Sequence, residues 1–124
     1  LWNSFWRIIV ASTFKNAGMA IVHTDDSNAD LYTAGGSVYA VIHAVYISNN
    51  STTNTGVVDI KATTDGGSTF YHIGKQLEIA PKNTLTLDKP INLEPNDKIR
   101  LVATPNTDSS STNLTAFASI LEVS

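Results

Sequence analysis

The chain predicts an all-β fold: a single antiparallel β-sandwich of eight or nine strands, jelly-roll-like, with an aromatic N-terminal arm. Three observations carry that expectation. From Gly18 onward short β-branched or aromatic runs follow one another; several alternate apolar and polar residues with period two; and Gly, Asn, Asp or Pro stands at nearly every break. The length of 124 residues suits one domain, because a chain of that size buries roughly two thirds of its unfolded surface around one core. Residues 1–12 read as the arm and residues 13–124 as the sandwich domain.

Candidate strands cover residues 19–23, 29–33, 38–48, 56–63, 69–74, 76–79, 84–87, 98–104 and 114–122. Alternation is clearest where Val58, Ile60 and Ala62 interleave with Asp59, Lys61 and Thr63, and where Ile99, Leu101 and Ala103 interleave with Arg100. The run VYAVIHAVYIS, residues 38–48, is apolar at both parities. It predicts a central strand with the second sheet on one face and a neighbour or the arm on the other. Asp65-Gly66-Gly67 is a strong hairpin signal and Ala34-Gly35-Gly36 a weaker one. Pro81, Pro90, Pro95 and Pro105 mark further breaks, with polar tips expected at residues 50–55 and 107–112.

Charged residues make up only 15% of the chain, with Ser, Thr and Asn in their place, and the net charge is −3. Scattered Lys and Arg give no footprint for a phosphate backbone, so nucleic acid is not an expected partner. The chain has no cysteine, which removes disulfides, thiolate metal sites and cysteine nucleophiles. No apolar run reaches the ~18 residues that span a bilayer, and the first ten residues lack the features of a secretory signal. A soluble protein without membrane attachment is expected.

The search for catalytic chemistry returns little. His23, His43 and His72 do not fall at metal-ligand spacing, and His43 shares strand parity with Val41 and Val45, which favours a structural histidine. Asp26, Asn28 and Asp30 imitate the start of a calcium loop, but Leu31 and Ser37 occupy the positions that need Gly and Glu. Gly67-Ser68 lies in a hairpin rather than at a nucleophile elbow. Glu78, Glu94 and Glu122 fall at strand ends, where solvated charge is routine. Sequons begin at Asn49, Asn50 and Asn113, a pattern that Asn- and Thr-rich chains produce by chance. No catalytic residue, metal or cofactor is expected, and the chain reads as a non-enzyme.

The segments STFKNAGMAIV, VYAVIHAVYISN, FYHIGKQLEIAPKNTLTLDKPINLEPNDKIRLVAT and LTAFASILEVS, read together, resemble a group of small virion structural proteins of tailed bacteriophages. The resemblance runs from Ser12 to Ser124, and residues 87–100 are its most distinctive part. It implies a β-sandwich module on the particle surface, most readily a capsid decoration (cement) protein. Its expected partners are the major capsid protein or other virion subunits, with a homo-oligomer, a trimer by preference. A neck, tail or fibre component is the alternative role. Another is a carbohydrate-binding attachment module using Tyr32, Tyr39, Tyr46, Tyr71 and His72, although strand patterns favour packing roles for those tyrosines. Within the motif, Lys89, Asp97 and Arg100 read as scaffold charges rather than ligands.

The segment LWNSFWRIIV stands outside that resemblance. It holds both tryptophans and a single charge, Arg7. Trp2, Phe5, Trp6 and Ile9 fall at i, i+3, i+4 and i+7, one apolar face of a short helix, while Trp6, Ile8 and Val10 also fit strand alternation. Ten residues do not hold a helix alone in water, so the segment needs cover, from its own sandwich or from a neighbouring subunit; a membrane surface, or a start site placed too early, is the third reading. Trp2, Phe5, Trp6 and Ile9 are therefore the candidate partner-binding residues.

Overall fold

The computed structural model describes residues 11–21, 26–103 and 113–124. Within them, nine strands form two antiparallel sheets that pack face to face: β1 (Ser12–Ala20), β2 (Asp30–Thr33), β3 (Tyr39–Asn49), β4 (Gly56–Thr63), β5 (Phe70–Ile79), β6 (Thr84–Leu87), β7 (Ile91–Leu93), β8 (Lys98–Ala103) and β9 (Leu114–Val123). The first sheet has the order β1-β9-β3-β6, with β7 also paired to β3; the second has the order β2-β8-β4-β5. The expected β-sandwich is thus the observed architecture.

The core fills the space between the inner faces. Ala40, Ile42, Val45 and Ile47 of β3 and Ala116, Ala118 and Ile120 of β9 meet Val58 and Ile60 of β4 and Ile99, Leu101 and Ala103 of β8. All are buried. The period-two pattern of β4 and β8 predicts this directly, since alternate residues of a strand point to opposite faces.

Four expectations are corrected. The first strand begins at Ser12 rather than at residue 19, because STFKNAG pairs regularly with β9 from Ser12↔Val123 to Ala20↔Thr115. Residues 69–74 and 76–79, expected as two strands, form the single strand β5, in which irregularities against β4 and a left-handed Gln76 (φ 52°) absorb the break. The Asp59 carboxylate accepts the Gln76 backbone N–H at 2.6 Å and anchors that conformation. Ala34-Gly35-Gly36 links two sheets instead of closing a hairpin, since β2 and β3 lie in different sheets. Finally, His43 does not share a face with Val45. The pairing of β3 with β9 skips one residue between Ile42 and Ala44, so the parity changes there: Ile42 and Val45 are both fully buried while His43 is exposed.

The β4–β5 loop follows its turn chemistry. Gly66 and Gly67 both adopt positive φ (76° and 102°), a region that costs an L side chain strain. The Asp65 carboxylate accepts the backbone N–H of Thr69 (2.9 Å) and Ser68 (3.0 Å). Those bonds, Thr69's foremost, hold its carboxyl below the ordinary aspartate value.

Two buried polar side chains close the ends of the sandwich. At the start of β3, the Asp97 carboxylate accepts the Thr63 hydroxyl (3.2 Å), the Gly66 N–H (2.9 Å) and the Glu94 N–H (3.0 Å). It joins the β4–β5 loop to the turn between β7 and β8. At the end of β3, the Asn49 amide donates to the carbonyls of Ile79 and Asn54 (2.9 Å each) and accepts the Ser51 N–H (3.0 Å). The expected tip at residues 50–55 is therefore tied down at its base, with Ser51 buried. The sequon at Asn49 presents no free amide to a glycosyl donor. Residues 107–112 lie outside the described residues, as does His23.

Removing the Asp97 carboxylate takes the acceptor from the buried Thr63 hydroxyl and from the backbone N–H groups of Gly66 and Glu94, each a hydrogen bond to a charged acceptor worth about 1.5–3 kcal/mol. Asp97→Ala is accordingly expected to lower the unfolding free energy by about 3 kcal/mol or more in urea titrations, and Asp97→Asn by less. A loss below about 1 kcal/mol for Asp97→Ala would show that the carboxylate is not the clamp.

Candidate functional site: the outer face of the first sheet

Register decides what the first sheet shows on the side away from the core. Across β1, β9 and β3 the paired rows on that side are Phe14–Leu121–Val41, Ser12–Val123–Tyr39 and Gly18–Phe117–Tyr46, with Ala44 opposite Ser119. Thr84 and Thr86 of β6 and Asn92 of β7 extend the same face. Phe14 is 85% exposed, Tyr39 57%, Phe117 49% and Tyr46 43%; Val41, Leu121 and Val123 are half-buried beside them. The Phe117 ring edge lies over the glycine of its row: a Cβ built on Gly18 falls 3.9 Å from Phe117 Cδ2.

None of the positions that the pairing places on this face is charged. Lys15 and Glu122, the charged residues of β1 and β9, stand opposite Ile120 and Ala40, so they occupy the inner parity. The second sheet is built the other way. On its outer side the Arg100 guanidinium donates to Asp30 at 2.7 Å and lies 3.9 Å above the Phe70 ring. Lys98 adds a second cation to Asp30 at 3.6 Å, and Lys61 meets Asp26 at 3.5 Å. One outer face carries paired charge and suits water; the other carries apolar rings and suits a partner.

The two faces also settle the remaining residues singled out from the sequence. Asp26 pairs with Lys61, and Asp30 with Lys98 and Arg100. Asp97 and Arg100 are scaffold charges as expected, while Lys89 is exposed in the turn between β6 and β7. Ser68 donates its backbone N–H to the Asp65 carboxylate within its own loop. Tyr39, Tyr46 and Tyr71 are exposed rather than packed in the core. The five residues considered for sugar binding do not converge: Tyr39 and Tyr46 belong to the first sheet, Tyr71 and His72 to β5 of the second, and Tyr32 is half-buried between the sheets. Among the described residues there is no enclosed pocket and no group of three metal-ligating side chains.

Trp2, Phe5, Trp6 and Ile9 lie outside the described residues. What the sequence reading missed is the apolar rank of Phe14, Phe117, Leu121 and Val123. In LTAFASILEV apolar residues stand at both parities, the same signal that VYAVIHAVYIS carries, and taking the two runs together would have found this face.

Glu122 departs from the expected solvated strand end. It is half-buried, accepts the Tyr32 hydroxyl across the gap between sheets, and has Lys15 Nζ 3.9 Å away. Burial first, then the hydrogen bond and the charge of Glu122, push the Tyr32 phenol well above its ordinary value of 10.0. The folded chain holds that proton more tightly than the unfolded chain, so the contribution is complete below the ordinary tyrosine value and is lost as pH rises above it. Compared with Tyr32→Phe, the wild-type chain should therefore lose stability more steeply above about pH 10. Parallel pH profiles in thermal melts would contradict the linkage.

In comparisons with known proteins, no family model, no curated protein and no solved structure matches the chain.

Proposed function

We propose that this protein is a structural component of a tailed-bacteriophage particle, a capsid decoration protein that reinforces the shell by binding its subunits. The observation that carries the proposal is the charge-free outer face of the first sheet, where Phe14, Tyr39, Tyr46 and Phe117 stand exposed in register. An apolar surface of that kind on a folded domain is a contact surface in search of a partner. The resemblance of residues 12–124 to phage virion proteins supplies the kind of partner: the major capsid protein, or other subunits of the particle.

Strand order supports the same reading. Counting β6 and β7 as one interrupted strand, 1-9-3-6 faces 2-8-4-5, the order of an eight-stranded jelly roll, a fold at home in viral shells. Fold alone does not assign function; the face and the resemblance carry the assignment. Cementing asks little of each contact, because many copies held on a lattice multiply a modest affinity. A neck, tail or fibre position would use the same face in a smaller ring, and copy number separates the two.

Quantitative mass spectrometry of purified particles, paired with a heat-release assay on particles made with and without the chain, tests the proposal. Copy number in proportion to the capsid lattice and release of the genome at a lower temperature without the chain are expected. A copy number matching one vertex, or an unchanged release temperature, would overturn the cement role.

A further inference from the structure

We infer that residues 1–10 of one copy dock on the outer face of the first sheet of a second copy, with Trp2 and Trp6 seated against Phe14, Tyr46 and Phe117. The inference deepens the proposed contact role, and rests on that face being a contact surface.

Chemistry matches the two surfaces. LWNSFWRIIV places both tryptophans, a phenylalanine and three β-branched residues within ten positions, with Arg7 its only charge. The face it would cover has no charged position and four rings each exposed by more than two fifths. Size matches too. Ten residues reach ~15 Å as a helix or ~33 Å extended, and four strands spaced ~4.8 Å apart present a face about 14 Å across. Either conformation offers an apolar side, Trp2, Phe5, Trp6 and Ile9 in one case, Trp6, Ile8 and Val10 in the other.

The point of departure selects a second copy over the chain's own sheet. Ala11 still belongs to the ladder: its N–H donates to the Ser124 carbonyl at 3.0 Å, and its carbonyl accepts the Ser124 N–H at 2.9 Å. This pair continues the register of Ser12↔Val123, so the backbone leaves the corner of the first sheet in line with β1. Folding back onto its own outer face would need a tight reversal just before that ladder. The residues there, Ile8, Ile9 and Val10, include no Gly, Pro, Asn or Asp to make one and favour extended backbone, which on this proposal would carry the tryptophans toward the equivalent face of a neighbour. Exchanged reciprocally such arms close a pair; passed head to tail they close a ring.

Trp2 and Trp6 are the only tryptophans, so the intrinsic tryptophan fluorescence of the full chain reports on this segment alone. The expected result is a blue-shifted emission at high protein concentration that moves to the solvent-exposed maximum on dilution, in step with dissociation seen by sedimentation. Phe117→Lys, half-exposed and outside the core, should keep the β-sheet circular dichroism and weaken association about 30-fold or more. Mixing Phe117→Lys with Trp2→Ala/Trp6→Ala should restore a blue shift, because one variant supplies the arm and the other the face. A blue shift independent of concentration would place the arm on its own sheet and overturn the inference. So would exposed emission at every concentration, or a blue shift that Phe117→Lys leaves unchanged. Detection of the chain in purified particles is scored separately, so loss of self-docking and loss of the particle role are distinguishable.

Discussion

The pairing of β3 with β9 is the constraint on which the rest depends. Their ladder runs from Tyr39↔Val123 to Asn49↔Leu114, and because side chains alternate, one register assigns residues to the core and to the outer face together. Val38 to Ser48 is apolar at both parities, so parity alone does not say which side belongs inside. The extra residue at His43 answers it. Without the skip, Val45 and Ile47 would turn outward with Val41, leaving Ala44 and Tyr46 to fill the interior; with it, Ile42, Val45 and Ile47 are all fully buried. On the other side of β3 the strand is interrupted at the same level, where Asp88-Lys89-Pro90 separates β6 from β7. Pro90 has no N–H to give to a ladder, so the break in pairing leaves no proline in it.

From that register follows a sandwich with two unlike exteriors. Core packing and the clamps at Asp97 and Asn49 use residues that point inward or sit at the two ends of β3. These leave the outer faces free to differ. The second sheet spends its outer positions on ion pairs around Asp30, which are of modest worth to stability at partly exposed sites but keep the surface wet. The first sheet spends its outer positions on rings. Folding gains little from Phe14 at 85% exposure, and the proposed contact role is what gives that position a use.

The sequence made the strand pattern legible wherever burial is one-sided. In β4 and β8, Ile60, Leu101 and their alternating partners identify the core directly, and β6 stands at its expected bounds. Legibility failed where local cues have two meanings. The edge strand β1 shows no alternation in STFKNAG, because most of its residues are exposed on both sides. In β5, residues 69–74 and 76–79 read as two strands parted at Lys75, yet a left-handed Gln76 held by Asp59 continues a single strand. Gly35-Gly36 signals a reversal but not whether the chain stays in its sheet. Asp97 reads as an ordinary turn residue, since two of its three donors, Thr63 at the end of β4 and Gly66 in the loop after it, lie more than thirty residues away. The candidate face was half legible: the doubly apolar β3 pointed to it, while its other half waited on the register that sets Phe14, Phe117 and Leu121 beside Tyr46 and Val41.

The central claim, that the first sheet meets the partner and the second meets water, is tested most directly by carbene footprinting of the assembled particle against the isolated chain. Both sheets carry exposed aromatic residues, so the protein contains its own control. Protection of Phe14, Tyr39, Tyr46 and Phe117 on assembly, relative to the isolated chain diluted until it is monomeric, with the exposed His72 opposite Lys61 on the outer side of β5 labelled equally in both states, is the result predicted. Protection of His72 with Phe117 and Tyr46 still fully labelled would contradict it.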